Sequence, residues 1–315
     1  SFASDSLAVV GHDQSVYTVE PGKIQVRNFQ GTVKQVLSFH ESEGDPIIID
    51  ICASYLVSAT NLGFVKMWDL SRREAKQHGP IKCFETAVPG IGKIKSAKVN
   101  CSGSKVCVTC EKGEGVNDPR LFVWDIELDL VQTFDFTTGR NDQDTEKTEQ
   151  SLDVAGRYPN LQYWDPTEPK LLVCQAVLAP GTVPDQLELD TVQEDSKNTE
   201  VLPDAVIVTL YSTPENGIIL LDQFPEEENY TGFLGVQVPY FYFAIKRSEV
   251  LEEKKRVGGT VLPLGSQRVT TRRTMRGFVG LEDGTTEAKQ AMLNFSYLSA
   301  IGNMDEAFKA IKLIK

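Results

Sequence analysis

The chain has 315 residues, of which 41% are hydrophobic and 24% are charged, and its formal net charge at pH 7 is -12. This composition is that of a globular protein with a sizeable core. The negative charge argues against nucleic acid or an anionic membrane as a direct partner. No apolar run approaches the roughly 20 residues of a bilayer-spanning helix, so we expect membrane contact only through partners or cargo.

Short strand patterns separated by turn residues fill the first two-thirds of the chain. They are brief apolar or alternating runs, which indicate β-strands. The predicted strands are Val16–Val19, Ile24–Phe29, Thr32–Phe39, Ile47–Ile51, Tyr55–Ala59, Phe64–Leu70, Ile94–Val99, Lys105–Thr109, Leu121–Asp125, Val131–Phe136, Leu171–Val177, Ala205–Tyr211, Gly217–Leu221, Leu234–Val238 and Tyr240–Ile245. Many short strands at roughly even spacing predict a sandwich, a barrel or a propeller.

A repeated Trp-Asp element favours the propeller. Trp68-Asp69 and Trp124-Asp125 each end an apolar strand and are followed by an apolar residue. This is the mark of a WD40 blade, here spaced more widely than the usual ~40–45 residues. We expect each Trp to wedge between blades and each Asp to hold the adjoining turn, so these four residues are predicted to be structural markers.

A third Trp-Asp pair, Trp164-Asp165, precedes a predicted strand instead of ending one, and we place it in a loop at the inner edge of a blade. The Gly-His dipeptide Gly11-His12 is too far from Trp68 to belong to the same blade. The polar network of strict WD40 blades is thus mostly missing. The prediction is a mainly β protein with a degenerate WD40 propeller.

Three segments interrupt the strand pattern. Gly139–Pro159 is polar and Ala179–Pro203 is acidic, and both are predicted to be exposed insertions. Lys246–Arg276 is basic and rich in turn residues, and it separates the strands from the C-terminal residues of the chain. We therefore predict a propeller over residues 1–245, a basic linker over 246–276 and a helical hairpin over 277–315.

After Gly284 the apolar spacing becomes helical. Two apolar stripes are separated by Gly302-Asn303, with Asn303 predicted to cap the second helix. The stripes are Ala288, Ala291, Met292, Phe295 and Leu298, then Met304, Ala307, Phe308, Ile311 and Ile314. Such a pair is one unit of a TPR-like solenoid. Because the chain starts without Met and ends inside a helical pattern, we expect an incomplete propeller and further repeats beyond Lys315.

The residues that carry chemistry form no recognisable catalytic or metal-binding pattern. The three histidines lie in polar turn contexts without a Cys or Asp at triad or metal spacing. Cys107 and Cys110 form a C-x-x-C on a strand, where residues three apart face opposite sides and cannot chelate together. We therefore expect no enzyme activity, no metal and no cofactor. The six cysteines lie mostly in strand-like segments of a chain that does not need disulfides, which favours a reducing compartment.

The remaining functional candidates are surfaces. Tyr240, Phe241, Tyr242 and Phe243 bring four aromatic side chains together. They are interpreted either as the core of the last blade or as a docking site for the helical arm or a partner. Phe295 and Phe308, on the two helical stripes, complete the predicted interaction surface.

Several longer strings resemble one family, that of intraflagellar transport protein 140. They are Val16–Pro21, Gln30–Gln35, Asp69–Lys76, Trp164–Val177, Val238–Phe243, Phe278–Asp283 and Gly302–Lys315. The resemblance spans nearly the whole chain. It implies the second of two WD40 propellers, followed by the first unit of a TPR-like solenoid.

The resemblance also implies a function. The chain would be a non-enzymatic scaffold in intraflagellar transport complex A, acting in retrograde ciliary transport and in import of ciliary membrane cargo. Its partners would be other complex A subunits and a tubby-like adaptor, with complex B and dynein-2 contacted indirectly, in the axoneme, the basal body and the cytoplasm. A coatomer- or clathrin-type vesicle coat subunit shares the same plan, and a propeller hydrolase or lectin is the alternative from another class.

Overall fold

The computed structural model describes residues 5–113, 115–138, 140–141, 154, 156–178, 204–246 and 268–312. Within these residues the strands form five antiparallel sheets, each built from strands that are consecutive along the chain.

The first sheet contains β1 (Val9–His12), β2 (Ser15–Glu20), β3 (Lys23–Arg27) and β4 (Val33–Ser38). The second contains β5 (Pro46–Cys52), β6 (Tyr55–Thr60), β7 (Phe64–Asp69) and β8 (Lys76–Gln77), with β9 (Lys82–Cys83) also paired to β7. A short helix, α1 (Phe84–Ala87), comes next. The third sheet contains β10 (Ile94–Val99), β11 (Lys105–Gly113), β12 (Val116–Asp125), β13 (Leu130–Asp135) and β14 (Arg140–Asn141).

The fourth sheet contains β15 (Arg157–Trp164), β16 (Leu171–Leu178), β17 (Ala205–Thr213) and β18 (Gly217–Pro225). The fifth contains β19 (Tyr230–Gln237), β20 (Tyr240–Lys246) and β21 (Arg268–Thr274). Two helices come after it, α2 (Thr286–Ala300) and α3 (Met304–Ile311).

The first strand of each sheet contacts the first strand of the next: β1 lies against β5, β5 against β10, β10 against β15 and β15 against β19. Because these strands are the inner edges of their sheets, the sheets radiate from a common centre as blades. This is the arrangement of a β-propeller.

Apolar cores fill the spaces between neighbouring sheets. Strand β11 shows how the period of two divides its side chains between them. Val106 and Val108 face the core shared with the second sheet, while Cys107 faces the core shared with the fourth. A strand buried on both faces reads as a continuous apolar run, which is why these strands could be recognised in the sequence.

The propeller fold and nearly all of the predicted strands are confirmed. Three strands of four or more residues were missed, namely β1, β15 and β21. Strand β21 lies inside the predicted linker 246–276 and corrects it, because arginines and threonines are tolerated on the edge strand of a sheet. Residues 247–267 of that segment, the acidic insertion and most of the polar insertion lie outside the described residues.

The predicted helical start is also confirmed. The Thr285 hydroxyl caps α2 by accepting from the Ala288 N–H at 3.2 Å, and the Asn303 side chain caps α3 by accepting from the Glu306 N–H at 3.4 Å. Helix α2 packs on the propeller, since Leu293 shares a core with side chains of the fourth and fifth sheets. Among the described helices, none has the length and apolarity to cross a membrane.

Candidate interaction surface

The two tryptophan markers lie between blades. Trp68 belongs to the core shared by the first and second sheets, with its ring 5.5 Å from that of Phe39. Trp124 is fully buried between the second and third sheets, and its Nε1 donates to the Asp129 carboxylate at 3.0 Å. Both side chains therefore hold neighbouring blades together.

The two aspartate markers hold turns. Asp69 accepts from the Ser71 N–H at 2.8 Å, and this bond lowers the pKa of the Asp69 carboxyl. Asp125 accepts from the Leu128 N–H at 3.1 Å and from the Lys105 Nζ at 2.6 Å. The Lys105–Asp125 ion pair is buried, with 5% and 9% of the two side chains exposed.

The third Trp-Asp pair is placed differently from the prediction. Trp164 ends the inner strand β15 instead of lying in a loop. Its placement in the prediction was wrong because β15 itself was not predicted. Its Nε1 donates to the Lys98 carbonyl of the third sheet at 2.9 Å. Asp165 is fully buried, accepting from the Glu168 N–H at 2.8 Å and from the N–H of Val238, beside the fifth sheet, at 2.6 Å. This pair therefore joins three blades.

The aromatic run on β20 is divided between two faces. Phe241 and Phe243 are 1% and 0% exposed and lie in the core between the fourth and fifth sheets, so they are not part of an interaction surface. Tyr240 and Tyr242 are half-buried on the other face. The alternation of the strand explains both placements.

The outer edge of the fifth sheet is basic, in a chain whose net charge is -12. Arg272 is exposed and lies 4.2 Å from the ring of Tyr240. Arg273 lies 4.0 Å from the ring of Phe224 and pairs with the Glu227 carboxylate at 3.2 Å. Stacking on aromatic rings keeps guanidinium groups oriented at a surface where an acidic partner could reach them.

Helix α3 presents an apolar face to solvent. Met304 is 46% exposed, Phe308 56% and Ile311 37%, whereas Ala307 is buried against α2. Phe295 on α2 is half-buried. Of the predicted aromatic surface, Phe308 is the most exposed member.

The described residues contain no group of three or more His, Cys, Asp or Glu side chains that could hold a metal ion. As predicted from strand geometry, Cys107 and Cys110 face different cores. Burial raises the pKa of the Cys110 thiol to about 12 and also raises the pKa of the Cys107 thiol well above its usual range. These cysteines are packing residues.

Comparison with known proteins identifies the propeller. The family model described as the IFT140 second beta-propeller matches residues 1–246. Among solved structures, the Myceliophteria thermophila Cps50 (Swd1) beta-propeller domain is 11% identical with a TM-score of 0.41, covering 78% of this chain and 81% of that one.

Two further structures are similar at the same level. The Neurospora crassa Pan2 WD40 domain is 9% identical with a TM-score of 0.41, covering 76% of this chain and 61% of that one. Kluyveromyces lactis Hsv2 is 10% identical with a TM-score of 0.36, covering 69% and 73%. Because these TM-scores are below 0.5, nothing about this chain rests on them. The family match spans most of the chain, and the chain therefore belongs to the IFT140 second beta-propeller family.

Proposed function

We propose that this chain is part of a non-enzymatic scaffold of intraflagellar transport complex A, acting in retrograde ciliary transport and in import of ciliary membrane cargo. The observation that carries the proposal is the family match over residues 1–246. A propeller of this family is a protein-interaction scaffold, and a rigid stack of blades offers broad faces for such binding.

The surface of the chain supports a binding role. The basic edge, where Arg272 stacks on the half-buried Tyr240, and the exposed apolar face of α3 are two chemically different contact regions. Aromatic and arginine side chains are enriched in protein interfaces, and their grouping here fits that pattern.

The partners in this proposal are other complex A subunits and a tubby-like adaptor, with complex B and dynein-2 reached indirectly. The location is the cilium, its basal body and the cytoplasm. We further propose that the blades and β21 form one unit, and that α2 and α3 begin a TPR-like solenoid.

Proximity labelling from the tagged full-length protein in ciliated cells tests this function. We expect complex A subunits among the most enriched neighbours and co-purification of the same subunits. Neighbours drawn from coatomer, without ciliary proteins, would contradict the proposal and point to a vesicle coat. A metal found by elemental analysis of purified protein, or a clear hit in a hydrolase screen, would contradict the non-enzymatic role.

A further inference from the structure

The fifth sheet differs from the other four at its outer edge. In the other sheets the outermost strands are short or irregularly paired: β8, β9 and β14 have two residues each, and the pairing of β4 and of β18 contains a register shift. Short strands and bulges keep sheet edges from pairing with other chains. Among the described residues the fifth sheet has three strands, and its outermost strand, β21, has seven residues.

Strand β21 is regular over its whole length. It pairs with β20 from Arg268 to Thr274 without a register shift, and it contains no proline. The edge of such a strand offers a continuous row of peptide groups to a further strand. Of the usual protections of a sheet edge, β21 therefore has only its charged side chains.

The pairing with β20 determines which backbone groups of β21 face outward. The Met275 N–H donates to the Pro239 carbonyl at 2.8 Å. In an antiparallel ladder, residue pairs that exchange hydrogen bonds alternate with pairs that do not. Counting back from Met275, the N–H and C=O groups of Thr270, Arg272 and Thr274 point away from β20. No hydrogen bond from a described residue outside the sheet reaches these groups.

The charge of this edge indicates which kind of strand fits it. Arg273 pairs with Glu227 on the core face, whereas Arg272, on the face of Tyr240, has no carboxylate partner among the described residues. Side chains directly opposite each other on paired strands lie about 5 Å apart at Cβ, and opposite charges attract there. An added strand with a carboxylate on the Arg272 face is therefore favoured. A second copy of β21 would bring further arginines to the same face and is disfavoured.

We propose that a partner protein adds an acidic β-strand to the edge of β21 and so completes the fifth sheet as a four-stranded blade. Main-chain hydrogen bonds to the outward groups supply affinity, and carboxylates on the Arg272 face supply selectivity. This inference rests on the proposed scaffold function and names one class of partner segment for it.

Two fluorescein-labelled peptides, acetyl-Thr-Glu-Val-Glu-Val-Glu-Thr-amide and its counterpart with Lys in place of Glu, test the edge by fluorescence anisotropy with the full-length protein. In an extended strand the three charged side chains of each peptide share one face. We expect the Glu peptide to bind at least ~10-fold more tightly, because the Lys peptide places like charges beside Arg272. Equal affinity of the two peptides, or no binding of either at millimolar concentration, would overturn the proposal.

A proline substitution tests the main-chain hydrogen bonds. Thr270→Pro removes an N–H that faces outward and keeps the bonds to β20, a position at which edge strands tolerate proline. We expect it to weaken the Glu peptide at least ~10-fold with little change in Tm, since it removes a donor and places a proline ring at the edge. Thr270→Ala is the matched control, because it keeps the N–H and should bind as the wild type does. Wild-type affinity in Thr270→Pro would overturn strand addition.

The same point can be tested without changing the protein. Two versions of the Glu peptide carry N-methyl groups on alternate sets of residues, so that in each version a different edge of the peptide is blocked. Only one edge of an added strand faces β21. We therefore expect one version to lose binding and the other to keep it. Equal binding of both versions would show that the contact is electrostatic only and would contradict the proposal.

A charge reversal locates the binding. Arg272→Glu should weaken the Glu peptide and strengthen the Lys peptide, because the cross-strand charge pair is reversed. Arg73→Glu is the control: Arg73 is an exposed residue between β7 and β8 without an ion pair among the described residues, and its reversal changes the net charge equally. Equal effects of the two substitutions would mean that binding follows the net charge of the protein and not this edge.

The proposed function can stand if this site fails. Normal co-purification with complex A subunits together with no peptide binding overturns the strand-addition proposal alone. Loss of complex A neighbours with intact peptide binding overturns the complex A function alone.

Discussion

At the scale of single residues, Lys105 and Asp125 form a buried ion pair at a Trp-Asp marker, with 2.6 Å between Lys105 Nζ and the Asp125 carboxylate. Lys105→Met leaves the Asp125 carboxylate buried without its cation, and we expect a loss of about 3–5 kcal/mol in the free energy of unfolding. Urea denaturation measures this loss. Lys82→Met is the control, since Lys82 pairs with Asp129, which is 61% exposed, and should cost at most ~1 kcal/mol.

The double variant Lys105→Met, Asp125→Leu removes both charges and should recover most of the stability lost in Lys105→Met. If Lys105→Met alone costs no more than Lys82→Met, the pair contributes little and the marker Asp125 acts only through its hydrogen bond to the turn.

The buried thiols predict a loss of stability at alkaline pH. Burial raises the pKa of Cys110 to about 12, whereas an unfolded cysteine titrates near ~8.5. Between these values the unfolded state releases a proton that the folded state keeps, so stability present below pH ~8.5 falls by about 1.4 kcal/mol per pH unit for this thiol.

Cys110→Ala should therefore make the decline between pH 9 and 11 shallower, measured as urea-unfolding free energies across that range. Val108→Ala, on the same strand, removes apolar volume without a titrating group and should lower stability by the same amount at each pH. An unchanged slope in Cys110→Ala would contradict the assignment of the decline to this residue.

At the scale of elements, Tyr297 fixes α2 to the fourth sheet. Its hydroxyl oxygen accepts from the Asn216 Nδ2 at 2.5 Å and lies 3.3 Å from the Thr213 Oγ1, and its ring lies 5.1 Å from that of Tyr211. Tyr297→Ala should cost about 3–5 kcal/mol and expose α2 and α3 to early proteolysis. Tyr297→Phe keeps the ring and should cost about 1 kcal/mol. Equal protease resistance of wild type and Tyr297→Ala would show that other contacts hold the helix.

Elements buried on both faces were predictable, and those that depend on distant partners were not. The continuous apolar runs of β11 and β16 predict strands, and Asn303 predicts the start of α3 as its N-cap. The sequence of strand β21 predicts a basic linker, because the strand forms only by pairing with β20, from which a long segment separates it.

At the scale of the whole molecule, blades differ in how much core they share. The first sheet contributes to one inter-sheet core, whereas the third contributes to two. The first sheet also exposes Val9 and Val36, at 62% and 46%. Local opening is easiest where few apolar contacts are lost.

Hydrogen exchange measured by mass spectrometry should therefore be faster in the first sheet than in the sheets that share two cores. We expect amides of β1 and β4 to exchange at least ~100-fold faster than those of β11 and β16, because less buried surface opposes their opening. A single exchange rate across all five sheets would mean that the blades open only together.

The contiguous order of the sheets has a consequence for synthesis. Strands of the first three sheets follow one another closely in the chain, so each can pair as soon as its own residues leave the ribosome. The fourth and fifth sheets differ, because 26 residues, 179–204, separate β16 from β17, and 21 residues, 247–267, separate β20 from β21. A nascent chain therefore exposes the bare edge of β16 and later that of β20, and these two intervals are the points in translation at which a chaperone has most to protect.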